Sequence, residues 1–292
     1  MRSAPANAEA ARVELERVLD DPSEADRAVL TPLVGGTHRR SWLVTLPGRR
    51  CVLRTPVAGH QALLDIETEA RAMNAAAAAG IAPPVIATTQ SGTLLTEYKP
   101  GAPWTAGDAR HPRNVERLAA ILRTLHSVDI ELPTFAAERV AADYLAAPAV
   151  ARAGDRDVHA ARWGDELLAL ARHYDARYAP TAFCHNDLVA ANVIDDGDLA
   201  LVDFEYAVRA DPVLDLASLA GMNGFNRAEQ RALLAAYRRA VPAAAELAEL
   251  ASMVRLVRLM AWFWALLGEA NAVDSAPYSQ YLAKLSADLR QD

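Results

Sequence analysis

The chain has only two cysteines, Cys51 and Cys184, in 292 residues. Two thiols cannot build a disulfide framework, and no C-x-x-C spacing is present to grip zinc. Lysine is nearly missing too: Lys99 and Lys284 are the only two among 30 basic residues, so cationic chemistry falls to arginine. A basic excess is absent, since 37 acidic residues outweigh the 30 basic ones and leave a net charge of −7. That balance lacks the electrostatic footprint of a nucleic-acid binder and weakly favours small cations as ligands. The longest strongly apolar run, Leu259 to Leu267, is about half of what a membrane crossing needs. Met1 to Glu16 has no continuous apolar stretch of the signal-peptide kind. Membrane insertion is therefore not expected, and a cytoplasmic, reducing compartment is. With 14 glycines and 16 prolines the chain is neither collagen-like nor Pro-rich and disordered. No period of 20–50 residues repeats, which argues against a solenoid.

What is present reads as two lobes preceded by a leading segment. Asn7 to Leu19 has helical spacing of Ala, Val and Leu and is expected to be an exposed leading helix, with residues 1–30 forming an N-terminal extension. Trp42 to Leu46 and Arg50 to Arg54 are short β-prone runs separated by Pro47-Gly48, the signal of an antiparallel hairpin. Ile66 to Ala79 is an alanine-rich helix stopped by Gly80 and by Pro83-Pro84. Strand candidates follow near Val85 to Ala87 and Thr93 to Glu97, and Pro100-Gly101-Ala102-Pro103 then breaks regular structure. Residues 31–99 are expected to form a small β-rich N-lobe and residues 100–292 a large C-lobe. Asn114 to Ser127, Asp157 to Tyr178 and Arg227 to Ala240 all carry helical periodicity. Inside that helical stretch lies one hairpin, Asn192 to Ile194 and Leu199 to Asp203, turned by Asp195-Asp196-Gly197-Asp198. The fold class is α+β: a bilobal arrangement with an antiparallel-sheet N-lobe and a mainly helical C-lobe.

The chemistry concentrates in Cys184-His185-Asn186-Asp187-Leu188-Val189-Ala190-Ala191-Asn192 and in Asp203-Phe204-Glu205-Tyr206. Asp187, Asn192 and Asp203 put two carboxylates and an amide at the ends of one short hairpin. Hard oxygen donors of this kind suit Mg²⁺, which takes one or two carboxylates and completes its shell with phosphate oxygens and water. Phosphoryl transfer needs such a metal plus a carboxylate near the attacking hydroxyl. No Walker A sequence is present, and Glu205 stands where D-F-G would place its glycine, so neither a P-loop NTPase nor an activation-loop protein kinase is expected.

These segments resemble the choline/ethanolamine kinase family, within the aminoglycoside phosphotransferase branch of the protein-kinase-like fold. The resemblance also takes in Gly35-Gly36, Val52-Leu53-Arg54, Glu69, Thr96-Glu97-Tyr98, Leu122 to His126, and Asp211-Pro212 with Asp215, so it runs from about Leu33 to Ala270. It implies ATP and Mg²⁺ as cofactors, with Asp187 the base that orients and deprotonates the substrate hydroxyl. Asn192 and Asp203 would hold Mg²⁺. Arg54 would contact the α- and β-phosphates, anchored by an ion pair to Glu69, and Gly35, Gly36 and Thr37 would form the loop over the phosphates. Glu97 and Tyr98 would lie on the hinge beside adenine, while His185 and Asp215 would support the catalytic loop. Arginine replaces lysine at the phosphate position, as in many choline-kinase-like members, and being permanently charged it can chelate two phosphate oxygens. The loop departs from the family, because His38-Arg39-Arg40 follows the glycines where small polar residues and asparagine are usual.

The acceptor is expected to be a small hydroxyl-bearing cation. In the resembling family a W-x-x-W pair on a late helix helps enclose choline. Here Trp262 matches the first position, the second falls on Ala265, and Trp264 is one residue off. Trp262 and Trp264 are candidates for a cation–π wall, with Glu205 and Tyr206 as a counter-charge and a further aromatic face. The plainer alternative is that these aromatics fill a helical core. Choline, ethanolamine and thiamine all satisfy such a pocket, an aminoglycoside remains a further alternative, and a nucleotide-binding but inactive scaffold is the competing class. The partners implied are ATP and the acceptor; oligomeric state is left open by the sequence.

Overall fold

The computed structural model describes residues 4–33, 39–57, 65–271 and 275–291. Gly35, Gly36 and Thr37, expected over the phosphates, lie outside the described residues. The chain divides into two compact units, one formed by residues 1–103 with 191–207 and the other by residues 104–190 with 208–292.

In the first unit the helices α1 (Ala4–Glu16) and α2 (Glu24–Arg27) lead into an antiparallel sheet. Its strands are β1 (Val29–Leu33), β2 (Arg39–Leu46), β3 (Arg49–Pro56), β4 (Val85–Thr88) and β5 (Leu94–Glu97), in the order β1-β2-β3-β5-β4. Pro47-Gly48 closes the β2–β3 hairpin, where Leu46 pairs with Arg49 and Ser41 with Arg54. The alternation of the strands buries Trp42, Val44, Leu46, Cys51 and Leu53. Ala11 and Leu15 of α1, followed by Val18 and Leu19, close over the same cluster. The leading helix keeps one face exposed but is not a separate extension: one face of the sheet needs an apolar cover, and the Ala11 and Leu15 face of α1 supplies it. Helix α3 (Ile66–Ala78) starts at Asp65, whose carboxylate accepts the Thr68 N–H at 3.0 Å. It buries Ala72, Met73 and Ala76, which leaves Glu69 buried on the same face.

The small hairpin β8 (Val193–Asp195) and β9 (Leu199–Leu201) also belongs to the first unit. It was expected within a C-lobe running unbroken from residue 100. Backbone pairing explains the difference, because β6 (Ala102–Pro103) pairs with Asp195 and Ile194, and the Leu201 N–H donates to the Ile81 carbonyl at 2.8 Å. Gly101 permits this approach: its φ is +111°, and a Cβ there would overlap the Asp195 carbonyl.

The second unit is helical. It comprises α4 (Ala106–Arg110), α5 (Pro112–Ser127), α6 (Ala137–Ala146), α7 (Ala160–Arg177), α8 (Val213–Met222), α9 (Arg227–Arg238), α10 (Ala244–Asn271) and α11 (Ala276–Gln291). A two-stranded ribbon joins β7 (Ala182–Cys184) to β10 (Val208–Ala210). Helix α10 is long and apolar enough to cross a bilayer, yet 56% of its most apolar window is buried inside the protein, which makes it the core helix of this unit. Trp262 stands at its centre, edge-on to Trp163 with ring centroids 5.3 Å apart and to Phe263 at 4.9 Å.

Candidate active site

The first unit gathers a chain of alternating charges around Arg54. Position 54 on β3 sends its side chain to the face covered by α3, and there Nη1 donates to Glu69 Oε1 at 3.0 Å. The same guanidinium donates from Nη2 to Asp203 Oδ1 at 2.5 Å and lies 4.0 Å from Glu205 Oε2. Burial works against the charge on Arg54, but Asp203, Glu69 and Glu205 together outweigh it and hold the guanidinium more firmly protonated than usual. Glu69 is raised above the usual carboxylate range by its burial, against the opposing pull of Arg54 and Arg39. The expected Arg54–Glu69 ion pair is present.

Asn192 and Asp203 come together because of the hairpin. Val193 pairs with Leu201, and the Val202 N–H donates to the Asn192 carbonyl at 3.0 Å, so both candidate metal ligands sit at the same end of β8–β9. Asp203 has φ of 71°, a left-handed conformation costly for a non-glycine residue and typical of functional positions. An amide oxygen and a carboxylate at the open end of one hairpin are a donor set that fits Mg²⁺, with room in its shell for phosphate oxygens and water.

Glu205, expected next to Asp203 as a counter-charge for the acceptor, stands two positions after it with its carboxylate 4.0 Å from the Arg54 guanidinium. Tyr206 follows it, half-buried. Where the resemblance implies a hinge, the Glu97 N–H donates to the Pro84 carbonyl at 2.9 Å and the Tyr98 N–H to the Arg50 carbonyl at 3.2 Å. Those two donors are spent within the sheet.

The second unit supplies the loop that carries Asp187. Residues 185–190 have little regular structure, and helix α8 ties them down through side chains. Asp215, fully buried, accepts the His185 N–H on Oδ2 at 2.9 Å and the Asn186 N–H on Oδ1 at 2.8 Å. Asn186 takes φ of 63° between them. Ser218 Oγ accepts the Leu188 N–H at 3.0 Å, and Asn223 Oδ1 accepts the Ala190 N–H at 2.8 Å while its amide donates to the Leu188 carbonyl at 2.9 Å. Asp215 is itself held by His126 Nε2 at 3.0 Å, and His126 Nδ1 meets the Tyr237 hydroxyl at 2.8 Å. His185 is buried, and its Nδ1 accepts the Asp187 N–H at 3.3 Å. Ser218 and Asn223 were not singled out from the sequence, and His126 entered only as part of the resembling Leu122 to His126 segment, with no role assigned. For Ser218 and Asn223, the signal pointing to α8 was Asp211-Pro212 with Asp215.

The two expected tryptophans differ in their surroundings. Trp262 is fully buried and donates its indole N–H to Ser286 Oγ at 2.9 Å, so it belongs to the core. Trp264, two residues on, turns the other way and is half-buried, with Tyr278 at 5.6 Å and Tyr281 edge-on at 6.3 Å between ring centroids. Gly268 makes room for this group, since a Cβ there would overlap the Tyr278 ring. Burial pushes the Tyr281 phenol upward, and the negative charges of Asp187 and then Asp288 add to that shift. Tyr281, which the sequence gave no reason to choose, therefore lies within electrostatic reach of the candidate base.

Residues 29–250 match the APH family, the phosphotransferase enzyme family. Ethanolamine kinase 2 of Mus musculus is 29% identical over 168 residues, which are 54% of this chain and 43% of that protein. The chain thus spans less than half the length of that curated relative. A choline/ethanolamine kinase family protein from Mesorhizobium loti shares the fold with a TM-score of 0.74 at 25% identity, covering 96% of this chain and 94% of that one. Choline kinase LicA from Streptococcus pneumoniae, also solved in complex with AMP, superimposes with a TM-score of 0.76 at 18% identity and covers 98% and 99% of the two chains.

Proposed function

Because the chain belongs to the phosphotransferase enzyme family, we propose that it is an ATP- and Mg²⁺-dependent kinase that phosphorylates the hydroxyl of a small cationic alcohol of the choline or ethanolamine type. The observation that carries this reading is the double engagement of Arg54. One guanidinium reaches both Glu69 and Asp203, 15 and 149 residues away in sequence, so a phosphate-binding cation and a metal-binding carboxylate are built as one group.

Phosphoryl transfer asks the protein mainly for positioning and for charge stabilisation. Arg54 grips the nucleotide phosphates, and its planar fork can bond two of their oxygens at once. Glu69 keeps the fork oriented. Asn192 and Asp203 would hold Mg²⁺, whose charge would offset that of the phosphates. Asp187 accepts the proton of the acceptor hydroxyl, and the clamps from Asp215, Ser218 and Asn223 hold its loop rigid enough for that geometry. Trp264 and Tyr281 offer π-faces to a quaternary ammonium or amine, and Asp187 adds a negative charge in the same unit.

The test is ATP consumption by the purified chain with choline, ethanolamine, thiamine and an aminoglycoside as acceptors. Turnover with choline or ethanolamine supports the reading in full. Turnover with thiamine or the aminoglycoside alone keeps the kinase and removes the proposed acceptor. Tight Mg·ATP binding with no turnover on any of the four points to the inactive scaffold.

A further inference from the structure

Arg39 is the first residue of β2, and it stands where the resembling family tends to have small polar residues and asparagine. An arginine there is unexpected, and so is its environment: only 1% of its surface is exposed. In the β2–β3 register Arg39 pairs with Pro56 and Ser41 with Arg54, which puts Arg39 and Arg54 on the same face as diagonal neighbours. Two guanidinium groups so placed repel each other unless an anion stands between them. Glu69 is that anion, with Oε1 bonded to Arg54 and Oε2 paired with Arg39 Nη1. Burying a charge costs several kcal/mol unless it is well partnered, so an arginine kept here serves the residue it holds.

We propose that Arg39 is a positioning residue for nucleotide binding: it fixes Glu69 from the side opposite Arg54, and Glu69 in turn aims Arg54. This rests on the kinase reading above. With one oxygen committed to Arg39, Glu69 keeps its place when Arg54 turns from Asp203 to the phosphates. Without Arg39 the Glu69 carboxylate is free to follow Arg54, and the guanidinium loses its fixed reference. Arg39 acts only through Glu69 and contributes nothing to the acceptor.

The test measures Mg·ADP affinity by calorimetry, with KM for ATP and for the acceptor, in the wild-type chain, R39M, R39K, E69Q and the double variant R39M/E69Q. Expected results are Mg·ADP binding weakened about tenfold in R39M, partial recovery in R39K, which keeps a charge on a flexible stem, and an unchanged acceptor KM. In the E69Q background R39M should add less than about a twofold further loss, because the partner it acts through is gone. Full additivity of the two substitutions overturns the proposal, since Arg39 then acts independently of Glu69. A lowered melting temperature with wild-type Mg·ADP affinity also overturns it, leaving Arg39 a structural ion pair. If R39M fails to fold, R39Q takes its place in the same cycle. Absence of Mg·ADP binding by the wild-type chain is a separate outcome: it removes the kinase reading and this inference together.

Discussion

Asp187 and Trp262 are two single residues whose roles separate cleanly under substitution. Asp187→Asn keeps the side-chain shape and loses the proton acceptor, so kcat should fall by about 10³-fold or more while Mg·ADP affinity stays within about twofold. Steady-state kinetics beside calorimetry checks this, and near-wild-type kcat would end the role given to Asp187. Trp262→Leu removes two edge-on ring contacts and leaves Ser286 without its donor. It should destabilise by about 2–3 kcal/mol and leave the acceptor KM unmoved. Tyr281→Leu should do the reverse, raising the acceptor KM by about threefold to thirtyfold, the range of a cation–π contact, with little change in the KM for ATP. Thermal melts and acceptor titrations on both variants decide the assignment. Arg54 and Glu69 were legible through the family resemblance, and Asp203 through its place after the second strand of the hairpin that begins at Asn192. Trp262 and Trp264 were not separable, since both sit in an apolar stretch and only the packing of α7 and α11 decides which turn of α10 faces inward. Nor could Tyr281 be read, because its nearness to Asp187 depends on where α11 lands.

At the scale of elements, helix α8 does for the loop that carries Asp187 what a second strand would do for an edge: it satisfies the backbone. Asn223→Ala strands the Ala190 N–H and the Leu188 carbonyl, both partnered through Asn223 now. A cost of about 2 kcal/mol or more is expected, together with a lower kcat, because the loop that orients Asp187 loosens. Unfolding in denaturant and single-turnover kinetics read the two effects. A second clamp joins α7 to α10, where Arg255 donates through Nε and Nη2 to the two Glu166 oxygens, each at 2.8 Å. The hydrogen bond from Arg255 holds the Glu166 carboxyl below its usual range. Stability from a depressed carboxylate is present above its unfolded pKa and is lost as pH falls through the folded value. Glu166→Gln should therefore lower the melting temperature at pH 7, by about 2 °C for a contribution near 1 kcal/mol, and the gap between variant and wild type should close in acid. Melting curves from pH 7 to pH 3 would show it. The β2–β3 hairpin, α3, α5 and α10 could be read from alternation, periodicity and turn residues. Strand β1, with four of its five residues exposed, carries no alternation to read and exists because β2 offers it an edge.

At the scale of the whole molecule, the two units were legible in kind, a small sheet and a large helical body, because strand-like and helical segments are segregated along most of the sequence. Their boundaries were not. The hairpin at 191–207 reads locally as part of the helical stretch around it, and only its pairing with Ala102 and Pro103 and its bond to Ile81 assign it to the first unit. This interleaving has a consequence for biosynthesis. The ribosome releases residues 1–103 long before residue 207, so the sheet emerges without the segment that bears Asp203 and that neutralises Arg54. Arg39, Glu69 and Arg54 then carry an excess of positive charge in a buried place, and the nascent sheet waits for the second half of the chain to cancel it. A truncated chain ending at residue 103 should show little amide protection in hydrogen exchange, and stalled chains should gain protection in β2, β3 and α3 only once residue 207 has cleared the exit tunnel.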